Sequence, residues 1–582
     1  MKMDHRTEKR GENGRARQEE KTHGGQRFTS GEQERRPNRT DGKKPYGRPQ
    51  DEKEKNGRSF GTAQSRRSEE GRRTDGGFRS DGVKRTFSRD GQKPQGDREK
   101  RPFRPGRQDD RFKPRNGRAF PPREGGNGAH TAPRPASNAP SAGRRVALET
   151  LQDIFQKDGY ASLVLDAHLQ AANLPQIEKR FCASLVYTTL ENLIRIDFAL
   201  SGFLSDPDSL EKRVRDILRL SVCQVLFMDR VPESAVVDEA VKLTRSVGME
   251  SLTGLVNGVL RSFIRGKNDI AWPKPEEGAR YLSVMFSVPE WLAQRLLDAY
   301  GPETARQICA YRGRHAMTLR PNRTRLSDAQ FEKLLEKKVW HSEKSGVLDA
   351  WRVTGVSSVA RDADYLAGHF SIEGVSSMLA AEAVQARPGT QVLDCCAAPG
   401  GKTAYMAESM RGTGRVYAWD VHDHRVALIR AMMKRLGLEN IRPAVRDATV
   451  LKEELAGQMD AVLLDAPCSG LGVMDDKPDL KYRVTAESVA ELTRVQAQLL
   501  NTCCRYVRQG GTFVYSTCSL LPEENEKQIE AFLQAHPEFQ TAPLPASFPE
   551  SVRVRYGRFG VQILPHLDDG LEGFYIVRMI RL

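Results

Sequence analysis

The chain has 582 residues, with 91 Lys plus Arg against 76 Asp plus Glu and a formal net charge of +15. At roughly 100 to 200 residues per domain this exceeds one domain, and no apolar run suits a signal peptide or a bilayer-spanning helix, so a cytoplasmic protein without a membrane partner is expected. Nine cysteines between Cys182 and Cys518, with no CxxC, argue against a disulfide framework and against a metal site. The first 140 residues hold 37 Lys plus Arg against 21 Asp plus Glu, which accounts for the whole positive excess, and they contain no Leu, Ile, Trp or Cys. Such a segment cannot bury enough apolar surface to offset its ordering entropy, so residues 1–142 are expected to form a disordered basic Arg/Gly-rich tail. Phenylalanines among its arginines, as at Phe103 and Phe112, suit phosphate neutralisation and stacking on unpaired bases, and RNA is the expected partner.

From about residue 144 the pattern turns helical. Leu148, Leu151 and Phe155 share one face, as do Val214, Ile217, Leu218, Val222 and Val225. Further helices are expected through 181–204, 235–247 and 255–264, with Pro232 and Gly248 in the turns between the later ones, giving an all-α domain over 143–267. Residues 268–282, with Pro273 and Pro275, read as a linker. The segment 283–385 is mixed: a helix at 289–300, then Met317 to Asn322 opening a small α/β unit with a helix at 329–338. Over 386–582, strands near 391–394, 415–419, 442–445, 460–464, 511–516 and 573–581 alternate with helices between the first five. That alternation predicts a doubly wound α/β domain with a mainly parallel sheet covered on both faces.

Four segments of this last domain carry chemistry. The first strand runs into Cys395-Cys396-Ala397-Ala398-Pro399-Gly400-Gly401-Lys402-Thr403, a small-residue loop opening a helix, where glycines permit close approach and the helix terminus favours negative charge. The loop matches neither the dinucleotide fingerprint nor a P-loop. The next strand ends in Asp420, about twenty residues on, where a carboxylate can accept hydrogen bonds from ribose hydroxyls. A nucleoside-containing cofactor is therefore expected. Two thiols then follow buried strands, Cys468 in Asp465-Ala466-Pro467-Cys468 and Cys518 in Ser516-Thr517-Cys518-Ser519, at the carboxyl edge where such sheets bind ligands. A dinucleotide-dependent dehydrogenase would leave the paired cysteines unexplained. A non-catalytic RNA-binding or ribosome-assembly protein would not need them.

The loop, Asp420 and the two cysteine segments, in this order and spacing, closely resemble the Sun family of RNA cytosine-carbon-5 methyltransferases over roughly residues 385–582. The run Val231-Pro232-Glu233-Ser234, then Glu239-Ala240-Val241 and Val256 to Arg261, resembles the NusB-type RNA-binding fold that precedes the catalytic region in one bacterial branch of that family. The resemblance implies S-adenosyl-L-methionine as cofactor and small-subunit ribosomal RNA as substrate, with transfer RNA as the alternative, and it implies no stable protein partner beyond a monomer. It assigns Cys518 as the nucleophile, Cys468 to elimination and release, and Asp465 to the cytosine edge and the border of the cofactor site. It assigns Cys396, Ala397, Ala398, Pro399, Gly400, Gly401, Lys402, Asp420 and Asp447 to the cofactor. Lys402 fits as a cation near the methionine carboxylate or an RNA phosphate. The family's RNA-recognition subdomain falls on 283–385, with Arg320, Asn322 and Arg323 as matching polar residues. Lys477 and Tyr482 stand where the family usually has arginine and tryptophan, and lysine cannot reproduce an arginine fork. His422, His424 and His566 show no ligand spacing and are expected at the surface.

Overall fold

The structure, a computed structural model, describes residues 139–582 apart from 158, 314, 315, 357 and 569. The expected basic tail lies outside the described residues as far as residue 138. The described residues belong to one compact unit.

The amino-terminal part is helical: α1 (Ala142–Gln156), α2 (Ala161–Ala171), α3 (Gln176–Glu191), α4 (Leu193–Ser201), α5 (Lys212–Phe227), α6 (Glu233–Ser246) and α7 (Thr253–Gly266). The periodic apolar positions form its core, with Leu148, Leu151, Ile217, Leu218 and Val222 all at most 1% exposed. Burial of each such side chain contributes about 1.5–3 kcal/mol. Phe155 departs from this face, lying at its open end with the Arg219 guanidinium 5.7 Å from its ring centroid. The helix expected over 181–204 is divided at Asn192, which leaves helical geometry (φ −118°, ψ 19°) and donates its side-chain amide to Thr188 O at 2.9 Å. A short polar side chain competes with the backbone ladder there.

The chain then runs through 3-10 turns into α8 (Ala279–Phe286) and α9 (Glu290–Ala310), which bends at Gly301-Pro302, where Gly301 has φ 75° and proline has no N–H to donate. A small antiparallel sheet follows. Its strands β1 (Met317–Pro321), β2 (His341–Lys344), β3 (Trp351–Thr354) and β4 (Phe370–Ile372) stand in the order β2-β3-β1-β4, with α10 (Asp328–Glu336) and the short α11 (Ala363–Leu366) as its helices. Leu319, Phe331, Leu335, Val353 and Phe370 make its core.

Two residues expected to face RNA here are buried. Arg320 is 4% exposed, its Nε 2.8 Å from Glu373 Oε2 and its Nη1 paired with Glu408, so its charge is spent inside the protein. Asn322 is 1% exposed and donates to Gly368 O at 2.9 Å and Leu436 O at 3.1 Å. Both tie the small sheet to the following domain. Arg323 is exposed and paired with Asp328 and Asp349.

After α12 (Val375–Ala383) come β5 (Gln391–Asp394), α13 (Gly401–Ser409), β6 (Arg415–Asp420), α14 (Asp423–Leu436), β7 (Ile441–Val445), β8 (Met459–Asp465), α15 (Leu480–Arg483), α16 (Ala486–Cys503), β9 (Val507–Thr517), α17 (Glu526–Ala535), β10 (Phe539–Thr541), α18 (Glu550–Arg553), β11 (Val561–Ile563) and β12 (Phe574–Arg581). The sheet order is β10-β12-β9-β8-β5-β6-β7, with β11 pairing β12. Strands β5 to β9 run parallel and β12 runs antiparallel between β9 and β10, so the expected closing strand and its β11 hairpin are both present. The strand order reverses between β5 and β8, and the carboxyl ends of those strands flank the crevice where doubly wound sheets bind ligands.

The short α15 joins the helical part to this domain. Tyr482 donates its hydroxyl to Leu190 O at 2.6 Å and lies 3.2 Å from Ser287 O, Lys481 Nζ donates to Glu191 O at 3.1 Å, and Arg483 Nη2 donates to Gly159 O at 2.8 Å. At the same joint Ala161 N donates to Asp479 Oδ2 at 3.2 Å. Tyr482 therefore packs between domains, while Lys477, two residues before Asp479, remains exposed. No helix among the described residues is long and apolar enough to cross a membrane.

Candidate active site

Parallel neighbours β8 and β9 bring the two thiols together. Their register pairs Asp465 with Ser516, so Cys468 lies three residues beyond one partner and Cys518 two beyond the other. Ala466 N donates to Ser516 O at 2.9 Å and Gly472 N to Cys518 O at 2.8 Å, which laces the two loops. Cys468 Sγ and Cys518 Sγ are 3.3 Å apart, and both residues are part-exposed. Asp465 accepts from Ser516 Oγ at 2.7 Å and pairs with Lys402 Nζ at 2.8 Å. Lys402 reaches this position from the first turn of α13, its ammonium 5.2 Å from the Phe574 ring centroid.

The charges divide the pair unequally. The hydrogen bond from Cys468 lowers the Cys518 thiol below its ordinary value, against burial and the Asp465 carboxylate, and Lys402 and Lys477 act in the same direction. The hydrogen bond to Cys518, together with burial, raises Cys468. Of the two thiols, Cys518 is therefore the one whose ionisation its surroundings favour. Burial disfavours the Lys402 charge, yet Asp465 outweighs it and holds the ammonium above its ordinary range.

The small-residue loop spans the ends of β5, β6 and β8. Cys395 N donates to Leu463 O at 3.0 Å and Ala397 N to Trp419 O at 2.7 Å, so Cys396 to Gly401 cross the crevice edge. Gly400 has φ 114°, a conformation open to glycine and strained for other residues. Beneath the loop, Asp394 accepts from Thr403 Oγ1 at 2.6 Å, while its Oδ1 is buried without a hydrogen-bond partner; burial pushes its carboxyl up to about 7 despite Thr403. Asp420 ends β6, takes His422 N at 3.1 Å and pairs with Arg425 Nη1 at 3.2 Å, while Arg425 Nη2 also reaches Ala398 O at 3.1 Å. Asp447 follows β7 at the same edge. It is exposed, and one of its oxygens is taken by Thr449 N at 2.9 Å and Thr449 Oγ1 at 2.6 Å.

Several groups framing the cysteines carry no signal in the sequence. Glu524 is fully buried and accepts hydrogen bonds from the residues after both cysteines. Asn525, buried beside it, accepts from Thr517 Oγ1 at 2.5 Å and donates to Ser519 O at 3.0 Å. Only position could have marked them, seven and eight residues beyond the second strand, because Pro522-Glu523-Glu524-Asn525 reads as a solvated turn. Arg425 is likewise unmarked on a charged helix. His422 and His424 are exposed and stacked, but His566 is part-buried, with both ring nitrogens lacking a partner. It lies within the β11–β12 connection, so the surface expectation holds for two of the three.

The family model for "16S rRNA methyltransferase RsmB/F" matches residues 381–580, the NusB family model 141–265, and the ferredoxin-like domain model of RsmF/B-like methyltransferases 288–359. The "Probable ribosomal RNA small subunit methyltransferase B" of Bacillus subtilis (strain 168) is 36% identical over 444 residues, covering 75% of this chain and 98% of the relative. The chain belongs to the RsmB/F methyltransferase family. The protein of the same name from Synechocystis is 32% identical over 75% of this chain and 98% of its own length. The crystal structure of PH0851, 24% identical, superposes with a TM-score of 0.65 over 76% of this chain and 98% of that one, and shares the fold. An RsmB/F-family enzyme uses S-adenosylmethionine to methylate ribosomal RNA, so the resemblance carried by the loop, Asp420 and the cysteine segments is borne out. The NusB resemblance, drawn from other residues, is borne out too.

Proposed function

We propose that this enzyme methylates carbon 5 of a cytosine in small-subunit ribosomal RNA through a covalent adduct at carbon 6. The observation that supports it most is the pair of sulfurs 3.3 Å apart, flanked by Asp465 and Lys402. Carbon 5 is a poor nucleophile, and covalent catalysis divides its alkylation into easier steps. The Cys518 thiolate forms the Sγ–C6 bond, which places electron density on carbon 5. Asp465, with lone pairs beyond those used by Ser516 and Lys402, accepts from the exocyclic amine on the cytosine edge beside ring nitrogen 3. Bound S-adenosylmethionine supplies the electrophilic methyl group. Loss of the carbon 5 proton to solvent, assisted by Cys468, re-forms the C5–C6 double bond as the Sγ–C6 bond breaks, and Cys518 recovers its electron pair.

The donor set suits this cofactor. Its ribose hydroxyls and amino group need acceptors, and carboxylates stand at the ends of β5, β6 and β8, with Asp394 Oδ1 buried and unpaired. Cys396, Ala397, Ala398, Pro399, Gly400, Gly401 and Lys402 line its site, Asp420 takes the ribose, Asp465 borders it, and Asp447 lies toward the adenine. In this reading residues 1–142 form a basic tail, 143–267 the NusB-like domain, 268–282 a linker, 283–385 the RNA-recognition subdomain and 386–582 the catalytic domain. The enzyme acts as a cytoplasmic monomer without a membrane partner.

Mapping 5-methylcytosine across total RNA from cells with and without the gene tests the assignment. A single small-subunit site should disappear. Loss of a transfer RNA site instead, with ribosomal RNA unchanged, moves the substrate. For the cofactor, Asp420→Ala should weaken S-adenosylmethionine binding by about 1.5–3 kcal/mol, the scale of a hydrogen bond to a charged group. Calorimetric titration with unchanged affinity removes Asp420 from the site.

A further inference from the structure

Glu524 lies outside the roles assigned so far. It is 0% exposed, sits between β9 and α17, and has no cation within the hydrogen-bonding set that holds it. Its carboxylate accepts from Ser469 N at 2.9 Å, Ser469 Oγ at 2.5 Å, Gln496 Nε2 at 3.1 Å and Ser519 Oγ. Gln496, on α16, also donates to Pro467 O at 2.9 Å, so the same cluster holds the residue before Cys468 as well as the one after it. Ser469 Oγ and Ser519 Oγ are 3.1 Å apart, and Ser519 Oγ further accepts from Leu521 N at 3.1 Å. Tyr515, on β9, donates its hydroxyl to Glu524 O at 2.6 Å and fixes the backbone of the clamp.

A buried carboxylate is costly unless several donors satisfy it, and here most of the donors belong to the two residues that follow the cysteines. Serine hydroxyls facing each other could otherwise pair and leave the loops free to slide. A single acceptor shared by both hydroxyls removes that freedom.

We propose that Glu524 is the positioning residue of the cysteine pair, clamping the Cys468 loop to the Cys518 loop so that the two sulfurs stay within hydrogen-bond reach of each other. The inference rests on the proposed roles of the two cysteines only for its effect on methylation. The clamp's effect on the thiols themselves stands apart from those roles. The charged groups that act most on the pair are Lys402 from α13, Asp465 from β8, Lys477 from the loop beyond Cys468, and Glu524. The lysines favour a thiolate on Cys518. Glu524 disfavours one on Cys468.

Alkylation by iodoacetamide, followed at each cysteine by peptide mass spectrometry over a range of pH, reads this directly in the full chain without RNA. The wild-type protein should label Cys518 in preference to Cys468, with a midpoint below that of an ordinary thiol. Glu524→Ala frees the loops, so the Cys518 midpoint should rise toward about 8.5, and the preference should fall about tenfold for every pH unit by which that midpoint rises. Glu524→Gln keeps an acceptor for Ser469 N but loses the charge, so Cys468 should gain label while Cys518 moves less. Cys223, buried in the helical domain, should stay unlabelled in all three and so report an intact fold. In methylation assays Glu524→Ala should lower kcat about 10²-fold, the scale of a misplaced reacting group, with KM for S-adenosylmethionine within about twofold, and Gln should restore most of it. Identical labelling in the three proteins overturns the proposal, as does a kcat loss that tracks an equal rise in KM. Altered labelling in a protein whose cysteine variants never trap RNA keeps the clamp and removes the covalent roles instead.

Discussion

A Cys468→Ala protein mixed with substrate RNA and S-adenosylmethionine is expected to run on a denaturing gel as a protein–RNA adduct, while Cys518→Ala should give no adduct and lose methylation by more than about 10³-fold, as removal of a nucleophile does. The two outcomes follow from the electrostatics of the pair. Cys518 is held low chiefly by its bond from Cys468 and further by Lys402 and Lys477, and the lysines' share remains when Cys468 becomes alanine. Loss of the Cys468 hydrogen bond should move the Cys518 thiol upward, so adduct formation in this variant should be slower at low pH and approach completion as pH rises. What Cys468→Ala lacks is the group placed 3.3 Å away to assist elimination, and the Sγ–C6 bond therefore persists. The double variant should form nothing. An adduct in Cys518→Ala and none in Cys468→Ala would exchange the roles of the two thiols. Full methylation in both would remove covalent catalysis altogether.

Much of this site is legible in the sequence because chemistry and fold fall on the same short segments. Apolar runs ending at Asp394, Asp420, Asp465 and Thr517 mark the strand ends, and in a doubly wound sheet strand ends are where ligands meet the protein. The 3.3 Å between sulfurs is not legible, since it depends on β8 and β9 being neighbours in register, a long-range fact. Charge is the least legible property. Arg320 and Glu524 look like surface residues from their sequence neighbours, yet both are buried, because Arg320 pairs with carboxylates 53 and 88 residues away, and because partners 55 and 28 residues away add to nearby Ser519 around Glu524. Asp447 shows the opposite limit: its place at the sheet edge follows from the sequence, but its bonds to Thr449 are also those of an ordinary turn. The docking of α15 on the helical domain is hidden as well, because the partners of Lys481 and Tyr482 are backbone carbonyls, which carry no sequence signal.

Lys402→Met is expected to slow single-turnover methylation at saturating S-adenosylmethionine by about 10- to 100-fold at pH 7, and by progressively less as pH rises. Methionine keeps the length and apolar stem of the side chain and removes only the charge. In the wild-type site the ammonium lies 2.8 Å from Asp465 and is among the charges that favour the Cys518 thiolate. Its removal strips a stabilising cation from the thiolate and also leaves Asp465 without its counter-ion, and an uncompensated carboxylate beside a thiol raises the thiol further. Both effects move Cys518 in the same direction, upward. The reactive form is the thiolate, so the rate on the acidic side follows the ionised fraction: raising the midpoint by one pH unit costs about tenfold well below the new midpoint and nothing well above it. The acidic limb of the pH–rate profile should therefore shift to higher pH while the plateau is largely regained. Lys402→Arg, which keeps the charge, should leave the limb close to its wild-type position. A loss of the same size at every pH would mean that Lys402 orders the loop or Asp465 without tuning the nucleophile, and an unshifted limb at full rate would mean that Lys477 and the Cys468 hydrogen bond suffice to hold the thiolate on Cys518.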